Sequence, residues 1–192
     1  IYTRTAAILV KDNSKSSSST SAMNDFSDLG IFKSNTNINN ELLTLKSPTL
    51  MTEVVNRLGL NETFTIRKGL KNVDLYKVSP VTITFCDKIE VPLSFTIKFS
   101  SKEAFAISEL EISGEDIGET LSAQMGDSIQ TSAGIMIVSP TQEFTDAFIG
   151  TSIRYVRGSV RAAVDTYSNA LVAELGNEDA TIINLSINDT SI

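Results

Sequence analysis

The chain of 192 residues contains no histidine, no tryptophan and a single cysteine, Cys86. The lack of histidine excludes histidine-based triads, histidine general bases and nearly all zinc sites. A single cysteine forms neither an intrachain disulfide nor a CxxC motif, and because free cysteines are usually buried we expect Cys86 to be a core thiol. Aromatic residues make up only 7% of the chain, which disfavours a sugar-processing cleft lined by stacking rings.

Basic residues are also scarce. The 16 Lys and Arg against 23 Asp and Glu give a formal net charge of −7. We therefore expect no nucleic-acid partner, because nucleic-acid binding needs a basic footprint. The same deficit disfavours a surface that lies on anionic lipid. No apolar run approaches the ~18 residues of a membrane span, and no signal peptide is recognisable. The first residue is Ile1, which indicates an excised fragment.

Motifs that carry common chemistries are missing too. The chain has neither a GxSxG nucleophile elbow nor a GxxxxGK[ST] phosphate loop, so we predict no enzymatic activity, no nucleotide binding and no catalytic, cofactor or metal residues. Paired carboxylates of the glycosidase type remain open, since such pairs are distant in chain order. The acidic stretch Glu111–Glu119 lacks the alternating ligand spacing of a calcium loop, and we interpret it as a solvated turn.

Three arginines near one another in sequence allow two interpretations. Arg154, Arg157 and Arg161 cluster near the end of one predicted strand and the start of the helix after it. They could meet a partner's carboxylates or an anionic glycan. They could equally form surface salt bridges in an acidic protein, each of small energetic value.

The stretch from Asn37 to Leu60 predicts two short helices joined at Ser47-Pro48. Ser47 suits a helix cap, Pro48 the first helical position, and Gly59 the left-handed residue after the second helix. Apolar residues recur at helical spacing on both sides of the joint: Ile38, Leu42 and Leu45, then Leu50, Met51, Val54, Val55 and Leu58. Of these we expect Leu45, Val54, Val55 and Leu58 to be buried.

Strand patterns occupy much of the remaining chain. Ile1–Asp12 predicts a strand covered on both faces, because Ala6–Val10 is continuously apolar. Lys11–Asn37 is a serine-rich linker by composition. Val81–Pro140 alternates apolar and polar residues, which is typical of antiparallel strands with one wet face. The alternation changes phase between Ile107 and Leu110, and this predicts a bulge or turn there.

The last part of the chain returns to mixed patterns. Thr151–Arg157 predicts a strand, and Gly158-Ser159 then opens a helix with a regular apolar stripe. Val172–Leu175 and Thr181–Ile187 predict a hairpin-like pair of strands.

Several of these segments resemble one known family. In the helix pair the matching residues are Asn40-Glu41, Leu45-Lys46-Ser47, Leu50, Val54-Val55, Leu58 and Leu60. Three later segments also match: Leu75-Tyr76 with Ser79-Pro80, the stretch Met125–Pro140, and the sequence TIINLSIND (Thr181–Asp189) near the end of the chain. Together they resemble the extracytoplasmic domain of Wzz/Wzc-type polysaccharide chain-length determinants, in particular Bacteroidetes-type members. The family comprises polysaccharide co-polymerases and includes bacterial tyrosine autokinases of capsule and exopolysaccharide export.

The resemblance implies an α+β fold. A membrane-proximal mixed α/β domain would comprise residues 1–79 and 141–192, with an antiparallel β-subdomain inserted at residues 80–140. Ala6–Val10 and Ile182–Ile187 would then lie in the same sheet, and both chain ends would point toward the inner membrane.

The function implied by the resemblance is non-enzymatic. The domain would be a periplasmic scaffold of an inner-membrane protein that forms homo-oligomers and regulates the chain length or export of capsular, exo- or O-antigen polysaccharide. Its partners would be further copies of itself, the polymerase, the outer-membrane export machinery and the glycan, and a cytoplasmic tyrosine-kinase domain would belong to the full-length parent. No cofactor is implied.

A second hypothesis is a free-standing secreted β-rich module that binds carbohydrate or another ligand. It predicts aromatic side chains on the surface of the β region. Phe85, Phe95 and Phe99 instead share the parity of Val81 and Ile97, which indicates the core. A third hypothesis, a hydrolytic enzyme, has no motif to support it.

Overall fold

Antiparallel β-sheet dominates the computed structural model, which describes residues 2–10, 35–87, 89, 91–176 and 182–189. The prediction of an α+β fold with a membrane-proximal mixed α/β domain is wrong, because this part of the chain has only three helices of 11 residues each beside thirteen strands. The helical spacing of apolar residues does coincide with these three helices. Each helix has only about three turns, whereas the period-two pattern of strands recurs along most of the chain.

The helices are α1 (Asn35–Leu45), α2 (Pro48–Leu58) and α3 (Val160–Ala170). The strands are β1 (Tyr2–Leu9), β2 (Glu62–Lys68), β3 (Lys71–Asp74), β4 (Val81–Phe85), β5 (Leu93–Phe99), β6 (Ala104–Ile112), β7 (Glu115–Asp116), β8 (Leu121–Gln124), β9 (Ser128–Thr131), β10 (Gly134–Pro140), β11 (Ser152–Arg157), β12 (Leu171–Leu175) and β13 (Ile182–Asp189). Two single-turn 3-10 helices span Tyr76–Val78 and Asp146–Phe148.

The chain divides into two compact units. Unit 2 is continuous and comprises Asn56–Ala163, whereas unit 1 combines the chain up to Val55 with the chain from Val164 onward. The sheet of unit 1 has three antiparallel strands in the order β1-β13-β12. Helix α1 covers one face of this sheet, where Ile38 packs with Ala173 and Ile183. Leu42, Leu45, Leu175 and Leu185 surround that small core.

Strand β1 confirms one prediction and contradicts another. Ala6 lies opposite Leu185 and Ile8 opposite Ile183, so Ala6–Val10 and Ile182–Ile187 do belong to one sheet. The prediction that β1 is buried on both faces is wrong, since Ile8 is 37% and Leu9 61% exposed. The physical reason is coverage: α1 packs on only one face of the sheet, and Leu9 lies on the other face. Ile8 lies on the covered face, but at the edge of the sheet, where a side chain is covered less than on an inner strand.

The joint between α1 and α2 is built as predicted. The backbone N–H of Leu50 donates to Ser47 Oγ at 3.2 Å, Pro48 is the first residue of α2, and Gly59 has a φ of +60°. Burial along the helix pair is less complete than predicted: Val55 is fully buried, Leu45 and Val54 are half-buried, and Leu58 is 68% exposed. The expected burial of Leu58 is wrong because the buried stripe stops one turn before α2 ends.

Unit 2 is a two-layer β-sandwich. Its larger sheet runs β3-β2-β11-β5-β6-β7, with β8 also paired to β6, and its smaller sheet runs β4-β10-β9. All pairings are antiparallel. The inner faces of the two sheets share one core, whose fully buried members include Phe95, Phe99, Tyr155, Met136 and Val138.

Alternation along the strands places this core as predicted. Val81, Phe95, Ile97 and Phe99 are completely buried, and Phe85 is half-buried against the same cluster. Since β4, β5 and β11 each expose the intervening positions to a greater extent, each of these strands presents one apolar face and one more polar face.

The phase change in β6 is a bulge. Ser94 pairs with Glu111 but Thr96 pairs with Ser108, so two residues of β6 lie opposite Phe95 alone. One of them, Glu109, has a left-handed φ of +55°. The extra residue turns Leu110 into the core, where it is fully buried, and confirms the predicted bulge.

Two further predictions concern the C-terminal part of the described chain. Helix α3 follows Gly158-Ser159, and β12 pairs with β13 as the expected hairpin-like pair, although its connecting residues 177–181 lie outside the described residues. The serine-rich stretch of the predicted linker, residues 11–34, also lies outside them.

Candidate functional site

The arginines singled out in the sequence occupy different surroundings. Arg154 and Arg157 lie on opposite faces of β11, because their separation by three residues reverses the side on which a strand side chain projects. Arg161 is exposed on α3. The three side chains therefore do not face one common ligand position, and each has its own environment.

Arg154 belongs to a polar network on the outer face of the larger sheet. Its Nη2 donates to Glu111 Oε2 at 2.9 Å and to Ser94 Oγ at 3.0 Å. Its Nη1 lies 3.7 Å from Glu109 Oε2, which also accepts a 2.6 Å bond from the Thr96 hydroxyl. The bulge at Glu109 places both carboxylates beside the arginine. This network matches the salt-bridge interpretation and leaves Arg154 with its charge already paired.

The acidic stretch Glu111–Glu119, interpreted as a solvated turn, contains a turn but also strand residues, since Glu111 belongs to β6 and Glu115–Asp116 form β7. Ser113 and Gly114 have φ values of +53° and +84° and connect β6 to β7. Its carboxylates bind separate protein groups: Asp116 accepts from the Gly118 N–H at 2.8 Å, and Glu119 accepts from the Ser132 N–H at 3.1 Å. Within the described residues, no three His, Cys, Asp or Glu side chains are placed to hold a metal ion.

An ion pair lies where β2 and β11 leave the apolar core of the sandwich. Arg157 Nη1 donates to Glu62 Oε1 at 3.2 Å, and the arginine's Cζ lies 5.0 Å from the centroid of the Phe85 ring. Both charged side chains are about one-fifth exposed. Just beyond the pair, Asn61 and Gly158 exchange two hydrogen bonds of 2.8 and 3.0 Å, which join the chain entering β2 to the chain leaving β11.

Tyr155 lies beside this ion pair and inside an aromatic cluster. Its ring centroid is 5.0 Å from those of Phe64 and Phe95. Its hydroxyl is buried and forms no hydrogen bond of acceptable geometry with the described residues. The polar groups beside it are the side chains of Glu62 and Arg157. Burial, then the Glu62 carboxylate, raises the pKa of the Tyr155 hydroxyl, so the phenol is neutral.

The same burial acts on the carboxylate. Desolvation raises the pKa of Glu62 above its ordinary value and outweighs the lowering by the Arg157 charge and by the Tyr155 hydroxyl. A raised carboxyl pKa is frequent in active sites, but it is also produced by a buried structural ion pair, and Glu62 pairs here with Arg157. We interpret the Glu62, Arg157 and Tyr155 group as structural.

Two surface features bear on the sequence hypotheses. The expectation that Cys86 is buried is wrong: its side chain is exposed, because it follows Phe85 on the outward parity of β4. Among the aromatic residues whose side chains the structure describes, Tyr76 alone is more than one-third exposed. The surface aromatics that a secreted sugar-binding module would need are thus not gathered on the described β region.

The face of the unit 1 sheet opposite α1 is a candidate interaction surface. An open depression of about 380 Å³ lies on it, and its lining residues all belong to β1, β12 and β13. The side chains on this face are Thr5, Ala7, Val172, Glu174, Asn184 and Ser186. Exposed Leu9 and Ile182, which pair across β1 and β13, extend the same face. We call this set the open face.

The open face was missed in the sequence, although β13 carries a signal for it. Asn184 and Ser186 alternate with the buried Ile183 and the half-buried Leu185, which is the pattern of a strand with one uncovered face. The continuous apolar run of Ala6–Val10 was given more weight, and it predicted coverage on both sides.

Both outer edges of the unit 1 sheet carry no paired strand in the part of the chain that the structure describes, since β1 and β12 each pair only with β13. The first residue of β1, Tyr2, lies opposite the last residue of β13, Asp189. The two strands therefore enter and leave the sheet side by side.

No helix in the described part of the chain has both the length and the hydrophobicity to cross a bilayer. Neither the protein-family models nor the curated proteins include a match to this sequence.

Proposed function

We propose that this chain is a periplasmic scaffold domain of an inner-membrane polysaccharide co-polymerase, and that it assembles with copies of itself to regulate polymer chain length or export. The observation that carries the proposal is the pairing of Tyr2 with Asp189 at the outer end of the unit 1 sheet. A domain held between two membrane helices must have its incoming and outgoing chain close together, and these strand ends are adjacent. The sequence resemblance supplies the family.

The proposed assembly has a suitable surface in unit 1. The edges of β1 and β12 carry backbone N–H and C=O groups that pair with no described strand, and such edges are templates for pairing with another chain. The open face adds exposed apolar side chains at Leu9, Val172 and Ile182. In the full-length parent, membrane anchoring would hold many copies at high local concentration, so even weak contacts at this surface would give an oligomer.

The rest of the proposal follows the family. The partners would be the polysaccharide polymerase, the outer-membrane export machinery and the glycan, and any tyrosine-kinase activity would belong to a cytoplasmic domain of the parent. The sandwich of unit 2 contributes no catalytic group to the proposal, because its polar side chains at Arg154 and Arg157 are paired within the protein.

A single charge on the edge strand tests this proposal. Ala7 is exposed on β1 and part of the open face, so Ala7→Lys introduces a charge at the edge without disturbing a core. The matched control is Thr84→Lys, which is exposed on β4 of unit 2. Each variant of the full-length protein would be cross-linked in membranes, and the length distribution of the polysaccharide would be measured in the same strains.

We expect Ala7→Lys to reduce the cross-linked oligomer and to alter the polymer length distribution, and Thr84→Lys to leave both unchanged. Deleting the domain should abolish length control. A full-length protein that stays monomeric, together with an unchanged length distribution after deletion, would defeat the proposal. Oligomers that tolerate Ala7→Lys while deletion alters length would keep the function and overturn the assembly surface.

A further inference from the structure

The hairpin that joins β2 to β3 concentrates positive charge in an acidic protein. Arg67, Lys68 and Lys71 fall within five residues of a chain whose net charge is −7. Lys68 lies directly opposite Lys71 across the hairpin. In the part of the chain that the structure describes, none of these three cations forms a salt bridge, and the hydrogen bond assigned to Arg67 is to the Gly69 carbonyl at 3.3 Å.

The tip of this hairpin is also apolar. Leu70 is 96% exposed, the largest exposed fraction among the exposed large hydrophobic residues of the described chain. Gly69, with a φ of +64°, allows the two-residue turn that projects Leu70 away from the sheet. Strand β3 is an edge strand with all four residues exposed, and Val73 is 38% exposed behind the tip.

Neither feature helps the isolated fold. Like charges directly opposite one another on neighbouring strands are destabilising, and no carboxylate among the described residues forms a salt bridge with Lys68 or Lys71. A leucine exposed to this extent contributes almost nothing to a core. Both become favourable when an anionic surface with an apolar layer beneath it approaches the tip.

We propose that the Arg67–Lys71 tip docks on the surface of an anionic lipid bilayer, with its cations at the lipid phosphates and Leu70 at the boundary of the acyl chains. Cations that flank an apolar side chain match the layered chemistry of the bilayer interface. A soluble anionic glycan offers the charges but no apolar layer for Leu70. A protein partner is less suitable, because stable interfaces generally bury over about 1,000 Å² and a two-residue turn presents much less.

The overall acidity of the chain is compatible with this contact. A net charge of −7 opposes a broad approach to anionic lipid, but charges more than about 8 Å away are largely screened at physiological ionic strength. Acidic residues farther than this from the hairpin tip would therefore oppose its contact with the membrane only weakly. The contact does not depend on the proposed function.

Tryptophan provides the test, because the chain has none of its own. Leu70→Trp places the chain's one tryptophan at the tip, where it can be excited selectively above the tyrosine absorption. The matched control is Ile117→Trp, an exposed apolar residue that follows Glu115 and Asp116 in the acidic turn region. Each variant of the 192-residue chain would be titrated to millimolar lipid with vesicles of phosphatidylglycerol and phosphatidylcholine, and with vesicles of phosphatidylcholine alone. Brominated acyl chains would report insertion depth.

We expect the emission of Leu70→Trp to shift to shorter wavelength with anionic vesicles, to be quenched by brominated acyl chains and to lose both effects at high salt. Adding Lys68→Glu and Lys71→Glu should weaken this binding at least about tenfold, while circular dichroism stays unchanged. Ile117→Trp should not respond.

No response of the tryptophan at position 70, an equal response at position 117, or binding that survives the two charge reversals would each overturn the proposal. So would a response to soluble polygalacturonate together with none to anionic vesicles, which would assign the tip to an anionic glycan instead.

Discussion

The Glu62 carboxylate lies 3.2 Å from the Arg157 guanidinium, at the register position where β2 and β11 place these residues directly opposite each other. Across the same two strands, Phe64 lies opposite Tyr155. The inner face of the larger sheet thus changes from an aromatic pair to an ion pair within two residues along each strand. Since burial raises the pKa of Glu62 despite its partner, stability should depend on pH in a defined direction.

The first prediction concerns that direction. The carboxyl of Glu62 titrates near its ordinary value of 4.5 in the unfolded chain and at a higher pH in the folded chain. As pH rises from 4.5 through the raised pKa, the unfolded chain loses its proton first, so the stability contributed by this group is lost over that window. The stability of the wild type minus that of Glu62→Gln should therefore fall as pH increases.

Urea unfolding of both proteins at a series of pH values measures this difference. Glu115→Gln is the control for the substitution itself, because Glu115 is exposed. A difference between wild type and Glu62→Gln that rises with pH would show that the ion pair outweighs desolvation.

The second prediction uses the unpartnered hydroxyl of Tyr155. Tyr155→Phe removes a buried oxygen and keeps the ring contacts with Phe64 and Phe95. Stability should stay the same or rise by up to about 1–3 kcal/mol, since burying a polar group without a hydrogen bond is unfavourable. Tyr155→Leu is the contrasting variant and should destabilise unit 2. A clear loss in Tyr155→Phe would show that the hydroxyl is hydrogen-bonded to Glu62 or Arg157.

The third prediction concerns the end of the buried stripe in α2. Val55→Ala removes two methyl groups from a completely buried position and should lower the unfolding free energy by about 1–3 kcal/mol. Leu58→Ala, one turn later and 68% exposed, should change it by less than about 0.5 kcal/mol. Thermal or urea unfolding checks both values. Equal losses in the two variants would mean that the stripe continues to the end of the helix.

The fourth prediction separates backbone strain from steric contact at two glycines. A Cβ at Gly134, where φ is +117°, would lie 3.2 Å from Asp87 Oδ2, which also accepts a hydrogen bond from the Ile135 N–H. A Cβ at Gly126, where φ is +84°, would meet no atom within 4 Å. Gly126→Ala should cost about 1–2 kcal/mol from its backbone conformation alone. Gly134→Ala should cost more, and an equal or smaller loss would contradict the packing around Asp87.

The fifth prediction concerns the exposed thiol. Cys86 should react with a thiol-specific reagent such as dithionitrobenzoate in the native chain, to one equivalent and without denaturant. Val81→Cys in a Cys86→Ser background should stay protected, because Val81 is completely buried on the same strand. Protection of Cys86 in the native protein would restore the core thiol expected from composition.

Local rules predicted much of the structure. Ser47, Pro48 and Gly59 act through the backbone groups nearest to them, so the joint and the end of α2 were predictable from sequence. The bulge at Glu109 was predictable as well, because a phase change in a strand requires an extra residue. Each of these features depends on fewer than ten consecutive residues.

Features that depend on distant partners were less predictable. The apolar run Ala6–Val10 does not tell which elements will cover it, and Leu9 is exposed because it lies on the face opposite α1. Likewise, Glu62 and Arg157 are far apart in sequence and meet only because β2 and β11 pair in one register. Cys86 was mispredicted for a different reason, since a general tendency of cysteine was preferred to the alternation of its own strand.

The division of unit 1 between the two ends of the chain has a consequence in time. On the ribosome β1 emerges long before β13, the one described strand that pairs with it. At roughly 5–20 residues per second, the interval between them is on the order of 10 to 35 s. Until β13 emerges, β1 has no complete sheet to join, and by the end of the interval all strands of unit 2 have been synthesised. Late in the interval the nascent chain would therefore carry a complete sandwich together with an unpaired β1 that a chaperone could recognise.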